Sequence, residues 1–138
     1  MRVLVDTNVF LDVLLNREEW VESSQEVLNR LEQTPGMGWL AWHTLSNLYY
    51  IGRKMAGEME TRRSLRRILS SFSVCPADGA IATNALDLPV LDFEDAMQIA
   101  AGQAAKAEWI ITRNEPDFRK SPLPVLSPEE ALQSILRG

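Results

Sequence analysis

Acidic side chains recur in this chain where a short apolar run ends or a helical pattern begins. Asp6 follows the first apolar run, and Asp117 lies a few residues after a later one. Asp92 and Asp95 stand at the start of an alanine-rich segment. Carboxylates held close together repel one another unless a cation lies among them, and oxygen ligands favour Mg²⁺ or Mn²⁺ over zinc or copper. The sequence therefore predicts a Mg²⁺ or Mn²⁺ site among these four acids, with Asp6, Asp95 and Asp117 as the candidate metal ligands.

The order of apolar runs and helical patterns predicts how these acids come together. Strands are predicted at residues 2–5, 37–42, 72–76, 109–112 and 123–126. Helices are predicted at about residues 7–15, 20–33, 43–55, 78–86 and 93–107, with another ending near residue 72 and a last one beginning at 128. This alternation is typical of an α/β fold, a mostly parallel sheet with helices on both faces. The carboxyl ends of parallel strands share one edge of the sheet, and ligands bind there.

Length and composition limit the class of protein. We expect one domain spanning residues 1–138, with a large core because 46% of the residues are hydrophobic. The apolar runs are too short to span a membrane, and a lone cysteine, Cys75, cannot form an internal disulfide. We therefore expect a protein of the cytoplasm with no membrane partner. The net charge of −5 argues against bulk electrostatic attraction to nucleic acid.

One segment departs from this acidic balance. Arg62, Arg63, Arg66 and Arg67 form a stripe along a predicted helix, beside its apolar face. A solvated helix face is the commonest interpretation of such a stripe. Contact with RNA phosphates, or with an acidic segment of a partner protein, is the alternative.

Each candidate metal ligand also has a purely structural interpretation. Asp6 is a good N-cap for the helix that follows it. Asp92 and Asp95 have nearly the spacing of a capping box, which favours Asp92 as the helix cap and Asp95 as the ligand. Asp117 can cap the turn before Phe118. These residues alone leave both interpretations open.

Four segments, taken in order, resemble the successive motifs of PIN-domain nucleases. They read VLVDTNVFLD, LSNLYYI, LDFEDAMQIAAG and WIITRNEPDF, and together they span nearly the whole chain. The chain is similar to the small VapC-type PIN proteins, the toxins of toxin–antitoxin pairs. The resemblance implies a Rossmann-like three-layer α/β/α fold, an acid cluster that binds Mg²⁺ or Mn²⁺, hydrolysis of single-stranded RNA, and an antitoxin protein as a partner.

Two of the four acidic positions of that family hold amides in this sequence. The family's first and third acids fall on Asp6 and Asp95, but the second falls on Asn47 and the fourth on Asn114. A subgroup of PIN proteins shares both asparagines and the DFEDA segment, and Asp117 can substitute for the fourth acid. Each Asn removes a negative charge but keeps a carbonyl oxygen that can bind a hard cation. We therefore expect weaker metal binding, with one ion rather than two.

The resemblance gives the other polar residues expected roles. Asp6 and Asp95 hold the metal ion. A further contact to the ion comes from Asn114, Asp117 or Asp92. Either Asp92 or Asp117 orients the attacking water. The supporting residues expected to fix the carboxylates in place are Thr7, Asn8, Asn47 and Thr112.

Two other functions compete with a metal-dependent ribonuclease. The amides at Asn47 and Asn114 fit a PIN-like module that binds RNA or protein without cutting. An aspartyl-phosphate phosphatase would also place Asp6 after its first strand, but its second Asp would fall on Asn8, and no suitable lysine follows. Finally, we expect a homodimer, with the four tryptophans in the core or at the dimer interface.

Overall fold

All five predicted strands form and pair into one sheet in the computed structural model of the chain, which describes residues 1–138. The strands are β1 (Val3–Val5), β2 (Gly38–Leu40), β3 (Ser73–Val74), β4 (Trp109–Ile111) and β5 (Val125–Leu126). Their spatial order is β3-β2-β1-β4-β5, and every pairing is parallel. The central strand is therefore β1, whose carboxyl end lies between those of β2 and β4.

Helices connect the strands at nearly the predicted positions. They are α1 (Thr7–Leu14), α2 (Val21–Glu32), α3 (Trp42–Ala56), α4 (Glu58–Ser71), α5 (Gly79–Asp87), α6 (Phe93–Ala104) and α7 (Pro128–Gln133), and a 3₁₀ turn covers Glu115–Phe118. Helix α6 is shorter than predicted because Lys106 adopts a left-handed φ of 60°, a conformation that ends helices. None of the helices combines the length and the apolar character needed to cross a membrane.

The two faces of the sheet bury separate apolar clusters. Val3 and Val5 pack with residues of α1, α2 and α7, whereas Leu4 packs with residues of α6 such as Ile99. All three β1 side chains are fully buried, because successive side chains of a central strand point to opposite helical layers. The predicted α/β/α fold, with its parallel sheet of five strands, is confirmed.

Gly102 allows α6 to lie close against β1. A Cβ atom at this position would lie 3.4 Å from Leu4 Cδ2 and 3.0 Å from Leu123 Cδ1, so a neighbouring side chain would have to shift. Helix α6 carries candidate acids at its N-terminus, and β1 leads directly to Asp6. The close packing at Gly102 therefore helps to set the separation between the two elements that deliver these acids.

Candidate metal centre

Asp6 lies at the carboxyl end of β1 and is almost completely buried, with 2% of its surface exposed. Its Oδ1 accepts a hydrogen bond of 2.8 Å from the backbone N–H of Thr7, so Asp6 is the N-cap of α1. Its Oδ2 accepts a second bond of 2.8 Å from the hydroxyl of Thr112, directly after β4. Asp6 is thus a helix cap, which is one of the two interpretations left open by the sequence, and it is also held against the neighbouring strand.

Burial alters the acidity of Asp6. Loss of hydration raises its pKa from 3.8 to about 6; the hydrogen bond from Thr112 opposes this rise, and the negative charge of Glu94 adds to it. An ionised carboxylate buried without a cationic partner is costly. A cation beside Asp6 would remove that cost.

Three carboxylates gather at the N-terminus of α6, where Asp92, Glu94 and Asp95 place one oxygen each within 4.8 Å of the others. Asp92 is the N-cap and accepts a hydrogen bond of 3.0 Å from the backbone N–H of Asp95, which confirms its predicted capping role. The pKa of Asp95 is raised to about 7, mainly by burial. A hydrogen bond with Glu94 and the negative charges of Asp92, Glu94 and Asp6 add to the rise. The acids of α6 and Asp6 therefore act on one another through their charges.

Glu94 is the candidate site residue that sequence reasoning missed. Its Oε1 accepts hydrogen bonds from His43 Nε2 at 3.1 Å, Gln98 Nε2 at 3.3 Å and Asn47 Nδ2 at 3.4 Å. Burial alone would raise the pKa of Glu94, but the hydrogen bonds from His43 and Gln98 outweigh burial, and the pKa lies below its ordinary value. Glu94 therefore favours its ionised form, with three donors converging on a single oxygen.

Helical spacing is the partial signal that the sequence offers for this arrangement, because it places residues on one helix face but does not specify that α3 faces α6. His43 and Asn47 stand at i and i+4 on α3, and Glu94 and Gln98 stand at i and i+4 on α6, so each pair shares one helix face. Asn47, at the position where the resemblance expects an acid, thus contacts an acid supplied by α6. The negative charge absent from α3 is present on the facing helix.

A buried polar network joins the helices next to Glu94. Gln98 Nε2 donates to the hydroxyls of Thr7 and Thr44, each at 3.0 Å, and the two hydroxyls lie 2.9 Å apart. Gln98 Oε1 is buried and has no hydrogen-bond partner. Thr7, one of the expected supporting residues, therefore links α1 to α3 and α6 rather than bonding through its hydroxyl to Asp6.

A groove of about 420 Å³ opens beside the acids of α6. Its polar lining consists of Asp92, Asp95, Asp117, Arg119 and Lys120. The structure thus brings Asp117, from the 3₁₀ turn, to the same groove as the α6 acids. Asp6 does not line this groove, because it is buried.

The remaining supporting residues occupy different surroundings. The hydroxyl of Thr112 donates to Asp6 and accepts a bond of 3.0 Å from the backbone N–H of Asn114, so Thr112 links these two candidate residues. Asn8 accepts a long bond of 3.5 Å from Arg17 and makes no hydrogen bond to the candidate carboxylates.

A largely buried ion pair braces the segment that follows β4. Nε of Arg113 lies 3.0 and 3.1 Å from the two carboxylate oxygens of Asp12, on α1. The guanidinium stacks over Trp20, 3.9 Å from its ring centroid, and the hydroxyl of Ser24 donates to Asp12 at 2.9 Å. Sequence reasoning did not single out this pair. Its position immediately after β4 gives it a part in holding Thr112 in place.

The arginine stripe of α4 is partly neutralised by nearby acids. Three of its members form exposed ion pairs: Arg62 with Glu58 at 2.6 Å, Arg63 with Glu60 at 2.8 Å, and Arg67 with Glu32 at 3.4 Å. Arg66 is exposed and has no such partner. Contact of this stripe with RNA or with a partner protein stays a prediction.

Comparison with known proteins identifies relatives of this fold. A family model described as the PIN domain matches residues 2–115, whereas no curated protein matches the sequence. VapBC2 from Rickettsia felis, solved bound to a DNA fragment from its promoter, aligns with a TM-score of 0.72 at 16% identity, over 92% of this chain and 98% of that chain. A toxin–antitoxin complex from Klebsiella pneumoniae aligns with a TM-score of 0.68 at 25% identity, over 91% and 97%. VapC20 from Mycobacterium tuberculosis, described as a sarcin–ricin loop cleaving toxin, aligns with a TM-score of 0.63 at 12% identity, over 78% and 86%.

The family match and the geometry lead to the same assignment. The matched region includes Asp6, Glu94 and Asp95, and it ends after β4, at the start of the 3₁₀ turn. The acids lie at the sheet edge where α/β folds bind ligands. The chain belongs to the PIN domain family of nucleases, and it has the fold of the VapC-type proteins.

Proposed function

We propose that this protein is a metal-dependent endoribonuclease that hydrolyses phosphodiester bonds of single-stranded RNA. The observation that carries the proposal is the grouping of Asp92, Glu94 and Asp95 within 4.8 Å of one another in a PIN domain, near the buried Asp6. Carboxylates so close together need a cation among them to remain ionised. The raised pKa values of Asp6 and Asp95 support this, because burial, together with nearby negative charge, disfavours their ionised forms in the absence of a cation.

The donor set suits Mg²⁺ or Mn²⁺. All the candidate ligands are carboxylate or amide oxygens, which hard divalent cations prefer. His43 is the only histidine, and its Nε2 bonds Glu94, so the chain lacks the nitrogen and sulfur ligands typical of zinc. We propose Asp6, Glu94 and Asp95 as the principal ligands of one ion, with Asp117 and Asn114 as further oxygen donors.

Each residue group has a distinct part in the proposed reaction. When bound, the cation polarises a phosphoryl oxygen and lowers the pKa of a bound water. Asp92 and Asp117 are both exposed to the groove, and the one that does not contact the ion is placed to orient the attacking water. Thr112 holds Asp6 toward β4, and His43 holds Glu94 against α3. Thr7 and Asn47 position the helices around these acids.

Cleavage of a labelled single-stranded RNA in the presence of Mn²⁺ tests the proposal. The wild-type protein should cleave slowly, and both Asp6→Asn and Asp95→Asn should lower the rate by more than the roughly 10–100-fold typical of losing a supporting residue. Asp87→Asn, an identical change at the exposed end of α5, is the matched control and should cleave like the wild type. Equal cleavage by the wild type and Asp6→Asn would indicate a contaminating nuclease and overturn the proposal.

A module that binds RNA or protein without cutting is the second candidate. The amides at Asn47 and Asn114 favour it, because they lower the negative charge available to a metal ion. This alternative predicts RNA binding that persists in EDTA, with no cleavage at any Mn²⁺ concentration.

We further propose that the protein is the toxin of a toxin–antitoxin pair that acts on RNA in the cytoplasm. The similar structures from Rickettsia felis and Klebsiella pneumoniae are a VapBC protein and a toxin–antitoxin complex, which supports an antitoxin partner. Expression of this chain alone should arrest growth, and Asp6→Asn should not. Co-expression of a small adjacent reading frame should relieve the arrest. The expected homodimer can be tested by light scattering of the purified protein.

A further inference from the structure

The groove beside the α6 acids contains two cations that the proposed reaction leaves unused. Arg119 and Lys120 line the groove together with Asp92, Asp95 and Asp117. Both cations are exposed, and neither forms an ion pair, although three carboxylates line the same groove. Their charge is therefore available to a different anion.

The segment carrying these cations is anchored on both sides. Phe118 is buried, with 2% of its surface exposed, in the apolar cluster that packs against α6. The backbone N–H of Ser121 donates to the carbonyl of Phe118 at 2.9 Å, and the Ser121 hydroxyl donates to the carbonyl of Leu123 at 2.8 Å. Arg119 and Lys120 thus extend from a braced turn, so little backbone freedom is lost when they bind a ligand.

Most arginines of the α4 stripe are held in ion pairs, unlike Arg119 and Lys120. In the α4 stripe, Arg62, Arg63 and Arg67 are each paired with a glutamate. Only Arg66 is unpaired there, and the stripe is remote in sequence from every candidate acid. A cation held in an ion pair must give up that partner before it can bind another anion. Arg119 and Lys120 carry no such cost, and they lie in the groove that contains the proposed catalytic acids.

We propose that Arg119 and Lys120 bind the phosphodiester backbone of single-stranded RNA beside the proposed metal centre. This inference rests on the proposed function. Phosphates that flank the cleaved bond lie beyond the metal ion and need other cations. The guanidinium fork of Arg and the ammonium of Lys both suit phosphate oxygens. Such contacts position the strand without reading its bases.

The test measures binding separately from cleavage. In the Asp6→Asn background, with Mn²⁺ present, a fluorescent 12-nucleotide oligouridylate is titrated with protein at several salt concentrations. Arg119→Gln/Lys120→Gln should raise the Kd about 5- to 30-fold, which corresponds to roughly 0.5–1 kcal/mol for each contact. The slope of log Kd against log salt should become shallower by about 1.4, since each phosphate contact on a single strand contributes about 0.7.

A second double variant controls for net charge. Lys106→Gln/Arg137→Gln also removes two exposed positive charges, but Lys106 follows the C-terminus of α6, about 18 Å along the helix from the acids. This control should leave the Kd within about twofold and the salt slope unchanged. Equal losses in the two double variants, or no loss in the Arg119/Lys120 variant, would overturn the inference.

Two further measurements separate the remaining outcomes. The charge-conserving variant Arg119→Lys/Lys120→Arg should keep most of the RNA affinity. Its thermal unfolding midpoint should match that of the Gln variant, which shows that both variants fold equally well. A loss of affinity in the charge-conserving variant would overturn a contact based on charge with phosphate. If protein with an intact groove binds no RNA, the proposed function itself fails. If it binds RNA equally well without the two cations, only the inference fails.

Discussion

Arg113 reaches both carboxylate oxygens of Asp12 through its Nε, at 3.0 and 3.1 Å, and ties the segment after β4 to α1. Asp12 is fully buried, and Ser24 and Arg17 complete its set of donors at 2.9 and 3.4 Å. Removing Arg113 leaves the buried carboxylate with only Ser24 and the longer contact from Arg17. The charge of Asp12 is then incompletely compensated, which costs more than the pair itself contributes.

Arg113→Leu is therefore expected to lower the free energy of unfolding by about 3 kcal/mol. Urea denaturation monitored by circular dichroism measures this loss. Arg66→Gln, at an exposed arginine without a partner, should change stability by less than about 0.5 kcal/mol. Similar effects of the two substitutions would show that the Asp12–Arg113 pair does not stabilise the fold.

The metal-free protein should lose stability as pH rises toward neutrality. Asp6 has a folded pKa of about 6 and Asp95 of about 7, both raised from 3.8, so the folded chain retains protons that the unfolded chain releases. The stability that these acids contribute is complete below pH 3.8 and is lost as pH passes through their folded pKa values.

Thermal unfolding in EDTA at pH 5 and pH 7.5 tests this pH dependence. The midpoint temperature of unfolding of the wild type should be lower at pH 7.5 than at pH 5, and Asp6→Asn should reduce this difference. Other acids titrate in both proteins, so the difference between them reports Asp6 together with its charge interaction with Asp95. An identical pH dependence in both would contradict the raised pKa of Asp6.

Thr112→Val should weaken Mn²⁺ binding while preserving the shape of the side chain. The lost hydroxyl normally favours the charged form of Asp6, so the pKa of Asp6 should rise and the midpoint pH of Mn²⁺ binding should rise with it. Loss of such a supporting bond typically costs about 10–100-fold in metal affinity. Isothermal titration with Mn²⁺ measures the effect. Thr83→Val, on the exposed face of α5, should leave the Mn²⁺ affinity unchanged. An equal loss of affinity in Thr83→Val would show that the hydroxyl of Thr112 has no specific part in metal binding.

Glu94→Gln tests whether α6 supplies the acid that α3 lacks. The substitution keeps the size of the side chain but removes the charge, so Mn²⁺ affinity should fall at least as far as in a supporting-residue variant, by about 10–100-fold. Glu22→Gln, at an exposed position of α2, should leave the Mn²⁺ affinity unchanged. If Glu94→Gln binds Mn²⁺ like the wild type, Glu94 is not a metal ligand, and its bonds to His43 and Asn47 serve only to pack the helices.

Sequence was sufficient where local rules decide the outcome. Short, mainly apolar runs predicted each strand, and the residue types at the helix starts favoured Asp92 as an N-cap and made Asp6 a candidate for one. Glu94 was missed because its role depends on His43, 51 residues away, and on α3 facing α6. The pair of Asp12 and Arg113 spans 101 residues and depends in the same way on spatial neighbours. Sequence spacing does not specify which helices become neighbours, since that depends on the strand order.

The close packing at Gly102 links the apolar core to the acids at the N-terminus of α6. Gly102 lies about two turns, or roughly 10 Å, along α6 from Asp95. A methyl group added there would press on Leu4 and Leu123, and any displacement taken up by α6 rather than by those side chains would move the carboxylates at its N-terminus. We therefore expect the affinity of the proposed metal site to be adjustable from the apolar core, through substitutions that touch none of its acids.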